Sequence, residues 1–109
     1  MITWNDFEKI DIRVGTVTEV LAFPDARKPA YRLTIDFGNA GIKKSSAQIT
    51  TLYSKEILLG KKIVAVINFP PKQIGNFISE CLILGVFDKN KDVVLLQPDG
   101  ATENGDKIG

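Results

Sequence analysis

Apolar and polar positions alternate most strictly at Tyr31, Leu33, Ile35 and Phe37, with Arg32, Thr34 and Asp36 between them. This period of two predicts a strand with one buried face. A longer strand is expected over residues 10–21, where Ile10, Ile12, Val14, Thr16, Thr18 and Val20 form the inward set. Gly15 has no side chain to pack and is expected to mark a bulge or bend in that strand. Before it, "TWNDFEKI" offers Thr3 as an N-cap with Asp6 three residues on, which predicts a short helix over residues 4–9. "FPDARKPA" reads as a turn-rich loop, "GNAG" as a hairpin turn into the strand "IKKSSAQI", and Ser54 as the cap of a short helix through Leu58 that Gly60 ends. In "NFPPKQIGNFISECLILG" the double proline ends one strand and stiffens the turn into the next, because neither ring nitrogen can donate to a sheet.

Three later segments, residues 63–67, 81–84 and 93–96, are continuously apolar, so both of their faces call for cover. Only two short helices are available to supply it. A second subunit is the economical alternative, and a symmetric homodimer is expected. Short strands, turns rich in glycine and proline, and one mid-chain helix predict a five-stranded all-β Greek-key barrel of the oligonucleotide- and oligosaccharide-binding (OB) type, formed as a single domain over residues 1–109.

Composition narrows the chemistry. The 109 residues carry a net charge of +1, but residues 27–72 hold nine cations against two anions, a basic middle suited to an acidic partner. The chain has no histidine, which removes histidine-based acid-base catalysis and most zinc sites. Neither glycine-rich phosphate loop pattern occurs, and the lone cysteine, Cys81, lies inside an apolar strand where a small buried hydrophobe is expected. Asp6, Glu8 and Asp11 match no ligand spacing and read as a cap and surface partners of Lys9 and Arg13. Binding without cofactor, metal or enzymatic activity is therefore expected. The opening residues show no signal-peptide pattern and no apolar run is long enough to span a bilayer, which predicts a cytoplasmic protein without membrane insertion. Candidate contacts are Arg13 and Arg32 on the polar faces of their strands, Arg27, Lys28, Lys43, Lys44 and Lys72 in or beside loops, and Phe77. Phe77 reads either as an exposed ring that stacks on a ligand or as packing at a strand entrance.

The blocks "FEKIDIRVGTV", "FPDARKPAYRLTIDFG", "IKKSSAQIT", "NFPPKQIGNFISECLILG" and "VVLLQPDG" closely resemble the CsaA family of small export-related chaperones. They are more distantly similar to the tRNA-binding domains that occur as free dimers or as appendages of methionyl-tRNA synthetase. The resemblance implies an OB-fold homodimer without enzyme activity that binds unfolded or presecretory polypeptides without ATP, in cooperation with the Sec export machinery. The alternative it implies is structure-specific tRNA or RNA binding on the same basic surface. Lys28, the pair Pro71 and Lys72, and Ser79 match positions of the tRNA-binding relatives. Leu82 stands where their pattern has methionine, and Gly75 and Asn76 stand where it has a basic residue and glycine. "SSAQIT" and "FPPKQI" follow the CsaA pattern instead. The expected groove has Phe69, Ile74 and Phe77 as floor and Arg13, Arg32, Lys43 and Lys72 as rim.

Overall fold

A computed structural model of the chain describes residues 1–24 and 26–109; Asp25, counted above among the acidic residues of the first segment, lies outside the described residues. The first helix, α1 (Trp4–Glu8), opens with a reciprocal cap. Asp6 N donates to Thr3 Oγ1 at 3.2 Å and Thr3 N donates to Asp6 Oδ2 at 2.9 Å. The backbone donor of Thr3 holds the Asp6 carboxyl below its usual range. No residue of α1 is buried.

Five antiparallel strands make the central sheet in the order β3-β2-β1-β4-β7, where β1 is Ile12–Ala22, β2 Tyr31–Asp36, β3 Ile42–Ala47, β4 Lys62–Val66 and β7 Leu82–Ile83. A short helix, α2 (Lys55–Leu58), separates β3 from β4, capped by Ser54 and followed by Gly60 at φ +84°. Two small hairpins complete the fold: β5 (Lys72–Ile74) with β6 (Phe77–Ser79), and β8 (Gly85–Phe87) with β9 (Val93–Leu95). The outer strands approach each other where Glu80 N donates to Lys44 O at 2.7 Å and Lys44 N donates to Glu80 Oε1 at 3.0 Å, nearly closing a five-stranded barrel. Ser45, buried in the wall, donates its hydroxyl to Cys81 O at 2.9 Å across the same seam.

The barrel interior is filled by Val17, Val20, Leu33, Ile35, Phe37, Leu58, Ile63 and Ala65. The alternation of β2 is realised as read: Leu33, Ile35 and Phe37 are fully buried. β1 departs from its expected face. A Cβ on Gly15 would stand 2.6 Å from Ile35 Cγ2 and 2.8 Å from the Phe37 ring, so Gly15 faces the core and Ile12 and Val14 face the opposite way. The register shift lies between Val17 and Glu19, not at Gly15, and it carries Val20 back to the inner face beside Val17. Gly15 is a close-packing position rather than a bulge.

β1 is shared, pairing β4 through residues 12–16 and β2 through residues 16–22. The edge left free at its start is taken by the C-terminal tail. Val14 N donates to Asp106 O at 2.9 Å, Gly105 N to Val14 O at 2.8 Å, and Ile108 N to Ile12 O at 2.9 Å. Of the three continuously apolar segments, only β4 is enclosed in the single chain. Leu82, Val94 and Leu96 remain exposed.

Candidate ligand groove

The loop between β1 and β2 and the β5–β6 hairpin meet outside the barrel. Phe23 N donates to Ala30 O at 3.2 Å, which folds the proline-bounded loop back on itself. The hairpin turns at Gly75, whose φ of +60° suits a tight connection between the paired residues Ile74 and Phe77. These two pieces build a second apolar cluster of Phe23, Ala30 and Phe77, with Ala26 and Ile74 packed against it. The Phe23 and Phe77 rings lie 5.4 Å apart in an edge-to-face arrangement.

Phe77 is thus buried, so of its two readings the structure has packing at the strand entrance and not an exposed stacking ring. Its burial follows from the pairing of β5 with β6, which aims it at Phe23. Above both rings sits Arg32, its Cζ 5.6 Å from the Phe23 centroid and 6.0 Å from that of Phe77. Arg32 Nε is buried with no hydrogen-bond partner, and Arg32 forms no ion pair among the described residues.

Hollows flank this cluster on separate sides of the hairpin. A groove of about 470 Å³ is lined by Phe23, Ala26, Arg27, Ala30, Ser46, Ala47, Gln48, Ile74 and Gly75. A second, of about 360 Å³, is lined by Phe69, Pro70, Lys72, Ser79, Glu80, Cys81 and Leu82. Between them a shallow depression beside Phe77 brings together Arg32, Lys44, Thr34 and Glu19. The expected single floor of Phe69, Ile74 and Phe77 is therefore divided: Phe69 and Ile74 line different hollows, and Phe77 lies beneath Arg32.

The cations divide as well. Lys28 and Arg27 are exposed in the loop, and Lys72 is exposed at the start of β5. Lys43 pairs with Ile35 and takes the inner-face register, whereas Lys44 pairs with Thr34 and stands exposed beside Arg32. Arg13 is withdrawn from the expected rim. Its Nε donates to Asp11 Oδ1 at 2.6 Å and its Nη1 to Gly105 O at 3.0 Å, so it secures the tail. The hydrogen bond with Asp11 strengthens its hold on its proton. Phe23, Ala26, Ala30 and residues 46–48 were not among the expected contacts; the signal for Phe23 and Ala30 was an apolar residue at each end of the proline loop.

A larger hollow, about 860 Å³, lies between β1, β4 and the tail, lined mainly by Ile12, Val14, Val64, Leu84, Leu96, Pro98 and Ile108. It contains none of the expected contacts. Its apolar walls, with Lys107 as the one lining cation, identify an uncovered sheet face better than a site for a charged ligand.

The sequence model of the family described as "Putative tRNA binding domain" matches residues 12–107. The chain is 61% identical to the CsaA chaperone protein from Picrophilus torridus, with a TM-score of 0.93 over 100% of both chains. It is 53% identical to the chaperone CsaA from Bacillus anthracis str. Ames, with a TM-score of 0.94 over 100% of this chain and 99% of that one. A methionine-tRNA ligase of Nanoarchaeum equitans is 35% identical over 108 residues, which make up 99% of this chain and 14% of the ligase's length.

Proposed function

The chain belongs to the tRNA-binding domain family, within its CsaA branch, and from that membership we propose that it is an ATP-independent chaperone that holds unfolded or presecretory polypeptides as a homodimer. The observation that carries this reading is the groove over the Phe23, Ala30 and Ile74 cluster, apolar on its floor and cationic at its edge through Arg27. Such a surface gains from burying a client's apolar side chains and tolerates many sequences, because its charged contacts are few and sit on exposed chains. The full-length likeness to two proteins titled as CsaA chaperones supports it.

In this reading the whole chain acts as one binding domain in the cytoplasm, ahead of the Sec machinery. Two copies present two grooves on one rigid body. A client held at one groove meets the second at high effective concentration, so weak sites retain it without nucleotide hydrolysis. Lys28, Lys72 and Ser79 border the client path beyond the central groove, with Phe69 in the neighbouring hollow. Lys43 and Arg13 supply background charge and structural support rather than direct contacts.

RNA binding is the second reading, favoured by the family match and by the excess of cations over residues 27–72. Salt separates the two. Suppression of the aggregation of a denatured client is expected to keep more than half its extent between 50 and 300 mM salt, on the order of magnitude set by apolar burial. Retention of tRNA is expected to fall by about tenfold or more over a comparable range, because phosphate contacts release counterions. Protein that binds tRNA and leaves client aggregation unchanged would overturn the chaperone reading.

A further inference from the structure

Arg32 is a half-buried guanidinium resting against two aromatic rings, without a carboxylate partner among the described residues. Its Nε is enclosed without a partner, and among the described residues its terminal nitrogens make no hydrogen bond. Those two nitrogens are not among the buried unpartnered atoms, so they form the open end of the group. A cation partly removed from water and left unpaired gains strongly from an incoming anion. The planar fork fits the two oxygens of a carboxylate, and the aromatic pair beneath fixes where the fork points.

The surroundings define what accompanies that anion. Lys44 lines the same depression as Arg32; beside the Phe23–Phe77 pair, the neighbouring groove is walled by Ala26, Ala30, Ala47 and Gly75, with Ser46 and Gln48 as its uncharged polar lining. Small walls over an apolar floor leave a seat for one bulky side chain. Arg27, exposed, is part of the lining of that seat. The lone carboxylate lining the Arg32 depression, Glu19, accepts from Thr34 Oγ1 at 3.3 Å. Two cations therefore border the apolar seat: Arg27 in its lining and Arg32 over the Phe23 ring that it shares.

From this arrangement we infer that the groove selects extended polypeptide segments in which a bulky apolar side chain is flanked by aspartate or glutamate, and that Arg32 sets the selectivity. The inference rests on the polypeptide-holding reading and names the class of segment that reading leaves open. A phosphate chain would satisfy the cations but leave the apolar seat without a matching side chain, so a carboxylate-bearing peptide is the better complement.

The test uses the full chain and three fluorescein-labelled dodecapeptides followed by anisotropy: a central tryptophan flanked by glutamates, the same with lysines, and the glutamate peptide with alanine in place of tryptophan. The glutamate-tryptophan peptide is expected to bind about tenfold more tightly than either of the others. Arg32→Lys keeps the charge and loses the fork, and is expected to remove most of the preference for glutamate while leaving the preference for tryptophan over alanine. Arg27→Ala, at an exposed position, is expected to weaken the acidic peptide about threefold, which keeps the test valid should Arg32→Lys disturb packing on Phe23 and Phe77. Equal affinities for the glutamate and lysine peptides, in protein that still suppresses client aggregation, would overturn the selectivity and leave the chaperone reading standing. Displacement of every peptide by tRNA, with no discrimination among peptides and no protection of a client, would overturn both.

Discussion

Cys81 illustrates what burial does to one group. Its thiol is enclosed between β3 and β7, and desolvation pushes its pKa up to about 11 from an ordinary value of 9.0. The thiolate is the charged form, so the folded state keeps its proton at pH values where the unfolded chain has lost it. Stability is therefore unaffected by this group below about pH 9 and declines as pH rises from about 9 to 11, by an amount on the order of 3 kcal/mol. Urea midpoints measured from pH 8 to 11 are expected to fall less steeply for Cys81→Ala than for the unmodified chain, which cancels the titration of lysines and tyrosines common to both. An aromatic disulfide reagent at pH 8 is expected to label Cys81 only in denaturant; rapid labelling of folded protein would contradict the enclosure. The sequence made this residue legible because it opens the apolar run over residues 82–84, which leaves a cysteine little water. It named Arg13, Lys43 and Phe77 as candidate contacts but did not show what engages them, because each depends on partners distant in sequence: Gly105 for Arg13, Ile35 in register with Lys43, and Phe23 opposite Phe77.

At the scale of elements, strict alternation located β2 with its buried residues, capping chemistry located both helices, and turn residues located the connection from β2 to β3. β1 was legible as a strand but not in its facing, since a single register shift reverses every side chain beyond it. Gly15 shows the consequence. A methyl group there would press on Ile35 and on the Phe37 ring, both fully buried, so neither can yield without disturbing the packing of β1 on β2. Gly15→Ala is expected to destabilise the fold by about 1–3 kcal/mol, read as a lower urea midpoint with an unchanged slope. A midpoint equal to that of the unmodified chain would return Gly15 to the role of a simple bend. The divided groove has the same origin as the misread face: Phe69, ahead of the β5–β6 hairpin, and Ile74, within it, line different hollows, and no local pattern in "NFPPKQIGNF" tells which hollow each residue will serve.

For the whole molecule, the question is what covers the apolar face that a single chain leaves open. Ile12, Val14 and Val64 turn away from the barrel interior toward a hollow walled by Leu84, Leu96 and Ile108, and Leu82, Val86, Phe87 and Leu96 are exposed nearby in sequence. Neither helix is placed to cover it: α1 buries nothing and α2 directs Leu58 into the barrel. A second copy of the chain brings an identical apolar face, which is self-complementary under two-fold symmetry. Sedimentation at micromolar concentration is expected to give a dimer, and Leu96→Glu is expected to give a folded monomer, because the introduced carboxylate reaches water in one chain and is trapped without a partner in two. The same variant separates assembly from groove chemistry. A short acidic peptide that fills one groove should bind the monomer within about twofold of the dimer, whereas a long unfolded client that spans both grooves should lose about 10- to 100-fold in apparent affinity. A wild-type chain that sediments as a monomer would remove the two-groove mechanism; a monomeric variant that holds long clients as tightly as the dimer would show that one groove suffices.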